Sequence, residues 1–202
     1  MSKFNKVVKR IFDFICSTLG LIVLSPVLLA IAIKIKTGSD GPVFFKQIRV
    51  GEKNNEFEIL KFRTMVVDAE KLGRQITVGN DNRITKIGAF LRKYKLDELP
   101  QLINVFKGDM SLVGPRPEVP RYVKLYNEEQ KKVLQVKPGI TDLASIRYRD
   151  ENELLGEAEN PDDFYINTIM PDKLALNLEY INNNNLFVDI YIILRTIVKC
   201  IW

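Results

Sequence analysis

The stretch Leu96-Asp97-Glu98-Leu99-Pro100-Gln101-Leu102-Ile103-Asn104-Val105-Phe106-Lys107-Gly108 decides how this chain is read. Leu99, Leu102, Ile103 and Phe106 recur at the i, i+3, i+4, i+7 spacing of a helix with one buried face, and Gly108 supplies its end. Pro100 falls in the first turn, where a missing N–H costs nothing, so Asp97 and Glu98 stand at the helix start. Unpaired N–H groups and the positive end of the helix dipole favour ionised carboxylates there, which predicts Asp97 to be a free anion at neutral pH. On local pattern alone, an ordinary cap followed by an ordinary first-turn acid is the commoner account of the pair. Only the rest of the chain can overturn it.

Working outward, the same stretch runs on through Gly108-Asp109-Met110-Ser111 to Gly114-Pro115-Arg116-Pro117. The prolines fix their own φ and restrict the residues before them, so Arg116 sits on a rigid backbone and can fork onto a phosphate at little entropic cost. An arginine in a surface turn is the plainer alternative. Just ahead of the acids lie Arg92, Lys93 and Lys95, of which Arg92 is the candidate for holding an anion near Asp97.

Farther upstream, Val43 to Val50 and Glu56 to Thr64 read as two strands joined by the turn-rich Gly51-Glu52-Lys53-Asn54-Asn55. Period-two alternation puts Lys61 and Arg63 on one face at the end of the second strand, a grip for a diphosphate or simply a solvated strand end. Val66 to Gly88 reads as a short helix and a polar loop, and Ile84 to Tyr94 as a helix.

The N-terminal part is apolar from Ile11 to Ile33, long enough to cross a bilayer as a helix, with Ser25-Pro26 in its middle. Proline removes the hydrogen bond to the carbonyl four residues back and kinks the helix, and the Ser25 hydroxyl is placed to satisfy a freed carbonyl. Basic residues flank both ends, so the positive-inside rule orients no straight span; a kinked helix returning to the same face would resolve the conflict. Downstream of Arg116, short helices are expected over Glu118 to Tyr126 and Glu128 to Val136. Ile140 to Arg149 is left between ligand binding and a strand with exposed arginines, and helices are expected from Asn160 and over Asp172 to Ile181. Leu186 to Trp202 gathers Asp189, Arg195, Thr196 and Lys199 on one side of a helix fit to lie in an interface or under the domain.

Composition narrows the chemistry. The 202 residues, 46% of them hydrophobic, suffice for one core. Histidine is absent, so carboxylates, lysines and arginines must do any acid–base work. Cys16 and Cys200 lie apart in apolar segments, which argues against a disulfide framework, a zinc site or a cysteine nucleophile. The net charge of +5 is carried by residues 1–36, and the remainder balances. That distribution suits an anionic membrane surface better than nucleic acid, which is not expected as a partner.

Together these motifs, with Lys61-Phe62-Arg63-Thr64-Met65 and Lys137-Pro138-Gly139-Ile140-Thr141, resemble the bacterial sugar transferases, specifically the small monotopic phosphoglycosyl transferases, over nearly the whole chain. The resemblance implies an α+β architecture: a re-entrant membrane helix (residues 1–37), a mostly helical catalytic domain with a small hairpin (38–185) and an interfacial helix (186–202). It implies the cytoplasmic face of a bacterial inner membrane, magnesium as cofactor, a UDP-sugar as donor and a polyprenyl phosphate as acceptor, with UMP released. It further implies Asp97 as nucleophile and magnesium ligand and Glu98 as its partner, serving as a proton acceptor or helping to hold the metal. Lys61, Arg63, Arg92 and Arg116 are then charge stabilisers, and Arg149 aligns with a family arginine. After Thr141 the chain departs from relatives, reading Asp142-Leu143-Ala144-Ser145-Ile146-Arg147-Tyr148-Arg149 where they often read Gly-Leu-Ala-Gln and then Gly-Arg. The sugar, the glycan pathway and the oligomeric state, a homodimer included, stay open, and a noncatalytic membrane-bound scaffold is the competing reading.

Overall fold

A computed structural model describes residues 3–69 and 81–201 of the chain. Most of the expected Val66 to Gly88 loop therefore lies outside the described residues. Helix α1 (Lys3–Gly38) is followed by an antiparallel hairpin, β1 (Phe44–Val50) and β2 (Glu56–Phe62), registered from Phe44 opposite Phe62 to Val50 opposite Glu56. Helix α2 (Lys86–Lys93) starts where Thr85 Oγ1 accepts from the Gly88 N–H at 3.0 Å. Lys95 then takes a left-handed conformation (φ 55°), turning the chain into the short 3₁₀ turn Leu96–Glu98. Helix α3 (Gln101–Lys107) follows and ends at Gly108 with φ 96°, as the sequence predicts.

Two short parallel strands, β3 (Ser111–Val113) and β4 (Gly139–Thr141), are separated by α4 (Pro120–Val123) and a 3₁₀ segment, Gln130–Gln135. The helices expected around Glu118 and Glu128 shrink to these pieces. Between Ile140 and Arg149 the strand covers only the first residues, because Asp142 caps a new helix, α5 (Leu143–Arg147). Then come α6 (Glu151–Glu157), α7 (Pro161–Phe164), begun by an Asn160 cap as expected, α8 (Met170–Asn183) and α9 (Leu186–Ile201).

The main apolar core joins Val50, Tyr122, Tyr165, Ile169 and Leu174, while Ile31 and Ile35 of α1 close on Phe62 and Leu91. The stripe predicted to bury α3 is displaced. Gln101, Asn104 and Val105 are the buried side chains, whereas Phe106 is 41% exposed and stacks on Phe14 of α1 at 5.1 Å. The reason is that Asn104 is consumed internally: its Oδ1 accepts from the Leu60 N–H (3.0 Å) and its Nδ2 donates to the Glu58 carbonyl (2.8 Å), clamping α3 to β2.

Helix α1 is long and apolar enough to cross a bilayer. It is also inside out relative to a helix in water: Asp13 and Ser17 are buried, while Leu19, Ile22, Val23 and Leu29 are exposed. It runs through Pro26 without ending, and the Ser25 hydroxyl donates to the Ile22 carbonyl at 2.7 Å. Ile22 is the residue whose partner Pro26 cannot supply, so serine replaces the lost donor as the sequence predicts. Both ends of α1 are tied to the same domain. Arg10 donates to the carbonyls of Val105 (2.7 Å) and Phe106 (2.8 Å) at the end of α3. Arg63 donates to the carbonyls of Ser39 (2.9 Å) and Asp40 just past the end of α1.

Helix α9 shows the same inversion. Asp189 and Ile192 are buried, Asp189 pairing with Lys9 and accepting from Tyr180 Oη at 2.6 Å, while Phe187, Leu194 and Val198 face outward. Of its polar stripe Asp189 is buried and Thr196 half-buried against the domain, while Arg195 and Lys199 stay exposed beside the outward apolar residues.

Candidate active site

A cavity of about 1160 Å³ opens beside the turn Leu96–Glu98 and is lined by Lys61, Arg63, Arg92, Asp97, Glu98, Arg116 and Arg149, the whole set singled out from sequence. Within it the groups are not equivalent. Glu98 is the hub. Lys61 Nζ donates to its Oε1 at 2.9 Å, and Arg116 donates through Nη1 to Oε2 at 3.0 Å and through Nη2 to Oε1. Burial opposes the Glu98 charge, but the Arg116 and Lys61 charges and their hydrogen bonds outweigh it and hold the carboxyl well below its usual value. A carboxylate so held is a poor proton acceptor, and both of its oxygens are occupied.

Asp97 is 8% exposed, and its carboxyl is raised above its usual value, first by burial and then by the Glu98 charge, against Lys61, Arg92 and Lys95. This corrects the expectation drawn from the helix terminus, which pointed to a lowered value. The turn is short and dry, so desolvation exceeds what a few N–H dipoles return. Burial likewise lowers the Lys61 ammonium, and Arg92, also lowered by burial, donates from Nε to Thr64 Oγ1 at 2.9 Å.

Arg63 does not join Lys61. Strand β2 has ended before it, and its guanidinium turns away to the Ser39 and Asp40 carbonyls just past α1, where it holds that helix end. Arg149 lies on the cavity wall, whereas Arg147 pairs outside it with Asp172 at 3.4 Å.

Arg116 is placed by backbone contacts that explain two motifs at once. A Cβ on Gly139 would lie 2.1 Å from the Gly114 nitrogen, so the Gly114-Pro115-Arg116-Pro117 loop fits against Pro138-Gly139 only because both glycines lack one. Gly139 N–H donates to the Pro115 carbonyl at 3.0 Å and Gly114 N–H to the Thr141 carbonyl at 3.1 Å. The fully buried Asp142 was missed by sequence reasoning. Its Oδ2 accepts from the Arg116 N–H at 3.0 Å and its Oδ1 caps α5. The signal was present as an Asp three residues before Ser145, a cap pattern, but its second partner is distant in sequence. Also unanticipated is a polar wall in which Glu118 accepts from Arg49 (3.1 Å) and Tyr165, and Lys173 pairs with Glu151 (2.8 Å).

No group of three or more Asp, Glu, Cys or His suited to a metal occurs among the described residues. With Glu98 engaged, Asp97 is the one protein oxygen donor the predicted set offers. That fits a hard cation shared with substrate phosphates rather than caged by protein, the usual habit of magnesium.

The chain belongs to the bacterial sugar transferase family, whose model matches residues 4–202. It is 39% identical over 208 residues to the UDP-glucose:undecaprenyl-phosphate glucose-1-phosphate transferase of Escherichia coli K12, covering 98% of this chain and 41% of that protein. It is 38% identical to the UDP-N-acetylgalactosamine-undecaprenyl-phosphate N-acetylgalactosaminephosphotransferase of Aeromonas hydrophila, covering 94% of this chain and 43% of that protein. The chain thus spans about two fifths of the length of these two relatives. An uncharacterized sugar transferase of Bacillus subtilis, EpsL, is 38% identical over 96% of this chain and 87% of its own length.

Proposed function

We propose that this protein transfers a phospho-sugar from a UDP-sugar to a polyprenyl phosphate at the membrane surface, the first step in building a bacterial glycan. The observation that carries the reading is a buried Asp97 beside a Glu98 clamped by Lys61 and Arg116, on the wall of a cavity large enough for a nucleotide sugar. Such a site offers a nucleophile and fixed positive charge, which is what joining two anions requires.

In this mechanism an Asp97 carboxylate oxygen attacks the sugar-linked phosphorus, the bond to the UMP oxygen breaks, and UMP leaves with the electron pair. A phosphate oxygen of the acceptor then attacks the aspartyl-linked phosphorus, giving the lipid diphosphate sugar and returning Asp97 as a carboxylate. Arg116 and Lys61 bind the diphosphate, Arg92 adds charge near Asp97, and Arg149 belongs to the substrate wall. Glu98 is a positioning residue acting through Lys61 and Arg116. Magnesium, held by Asp97 and substrate oxygens, would supply charge neutralisation when bound.

The membrane arrangement follows from α1. A helix of 36 residues is about 54 Å long, well beyond a hydrocarbon core of about 30 Å, yet both its ends are tied to one domain. This supports a helix that enters the membrane, bends at Ser25-Pro26 and returns to the same, cytoplasmic, face of the inner membrane, with α9 lying in the interface. The test is UMP release by the purified chain in lipid discs with magnesium, across a panel of UDP-sugars, with and without polyprenyl phosphate. Acceptor-dependent release from one donor is expected, and silence across the panel from folded protein would overturn the reading.

A further inference from the structure

Among the described strands β3 pairs with β4 alone, so its remaining backbone groups need partners elsewhere. Helix α1 supplies one: Asp13 accepts from the Leu112 N–H at 3.1 Å. One turn earlier on the same helix, Lys9 pairs with Asp189 of α9 at 2.5 Å. Tyr180 Oη has one hydrogen to share between the other Asp189 oxygen, at 2.6 Å, and the Val113 carbonyl, at 3.3 Å. Val113, Tyr180 and Ile192 are buried in one cluster, so the ion pair backs onto the end of β3. Strand β4 is fastened to α9 as well, by the Thr141 and Thr196 hydroxyls, 2.6 Å apart.

These two strands lead straight into the parts that place Arg116. Gly114 follows Val113, Asp142 follows Thr141, and the Arg116 N–H donates to the Asp142 carboxylate at 3.0 Å. Lys9, Asp189 and Tyr180 themselves do not line the cavity. Stability alone accounts poorly for them. Asp189 is 1% exposed, and burying such a charge carries a desolvation cost that apolar side chains of similar volume avoid. What a satisfied polar network adds over plain packing is one fixed relative position.

We propose that Lys9, Asp189 and Tyr180 are positioning residues for Arg116: they lock α1 to α9 behind β3, so that the guanidinium stands where the donor diphosphate binds. The assignment rests on the transfer reading above. The three touch no reacting atom. They act through Val113 and the Gly114-Pro115-Arg116-Pro117 loop, and donor binding is thereby tied to the seating of both helices.

The test is calorimetric titration of UDP, with magnesium, into the full chain in lipid discs, because binding a diphosphate uses Arg116 but needs no turnover. Asp189→Asn keeps the shape and removes the charge that Lys9 faces. Tyr180→Phe keeps the ring in the core, removes only the hydroxyl, and serves where the first variant fails to fold. Each should weaken UDP binding about fivefold in the otherwise unaltered chain and less than about twofold in Arg116→Met, since a residue acting through Arg116 then has nothing left to act on. An equal fold-change in both backgrounds, or a lowered melting temperature with UDP affinity unmoved, would reduce the three residues to core packing and overturn the assignment. Absence of UDP binding by the unaltered chain would instead overturn the transfer reading, so the two failures are distinguishable.

Discussion

Asp97 and Glu98 are adjacent on one 3₁₀ turn, yet their carboxyl groups are driven in opposite directions, Asp97 up and Glu98 down. Successive residues on a helical turn point in different directions, so Glu98 falls between Lys61 and Arg116 while Asp97 faces burial and the Glu98 charge. One acid becomes a fixed anion and the other a carboxylate that is easier to protonate.

This difference sets the pH behaviour. In the proposed mechanism Asp97 attacks as an anion, so the acid limb of UMP release should lie above 3.8, the ordinary value from which burial raises it. A limb at or below that pH would refute the assignment. For stability the signs oppose. The Asp97 contribution is present below pH 3.8 and is lost as pH rises through its raised folded value. The Glu98 contribution is present above pH 4.5 and is lost as pH falls through its lowered folded value. Urea unfolding midpoints across that range check both.

Asp97→Asn removes the proposed nucleophile with almost no change of shape. Turnover should fall at least about a thousandfold, and no phospho-sugar adduct should be found by mass spectrometry of the protein with donor alone. Retained turnover would exclude Asp97 as nucleophile.

Glu98→Gln leaves Lys61 and Arg116 facing each other without their shared carboxylate. Breaking a buried pair this way costs on the order of 3 kcal/mol, so calorimetry should show a lower melting temperature together with a raised donor KM. A variant with unchanged melting and abolished kcat would instead make Glu98 a group acting directly on the reacting atoms.

Arg63→Met removes the donors that hold the end of α1 without touching the Glu98 cluster. The expected result is a melting temperature lower by several degrees, from a loss of about 2 kcal/mol. Donor KM should move far less than in Arg116→Met.

Single cysteines at Lys6 and Asp40, in a chain with Cys16 and Cys200 changed to serine, report the course of α1. Both should react with a membrane-impermeant reagent from the same side of sealed vesicles. Pro26→Ala restores the N–H that Ile22 lacks and should straighten the helix, moving one site to the opposite side. Opposite-side labelling of the unmodified Ser25-Pro26 chain would refute the re-entrant path.

Local chemistry was enough, from sequence, for whatever depends on near neighbours. The hairpin, the Asn160 cap, the glycine stop at Gly108 and the Ser25 hydroxyl on the carbonyl freed by Pro26 all involve residues a few positions apart. The acids, Lys61 and Arg116 were legible as an unordered set of charges. Tertiary structure alone decided their roles, because those roles depend on partners far along the chain: Glu98 with Lys61 and Arg116, Arg63 with the end of α1, and Asp142 with the Arg116 backbone. It also reversed the direction expected for Asp97, since desolvation belongs to the packed surroundings and cannot be read from a helix terminus. The apolar pattern of α1 and α9 was plain in the sequence. Which residues turn inward was fixed only when Asp13 met the Leu112 N–H and Asp189 met Lys9, burying those two carboxylates while much of the apolar surface of both helices stays outside.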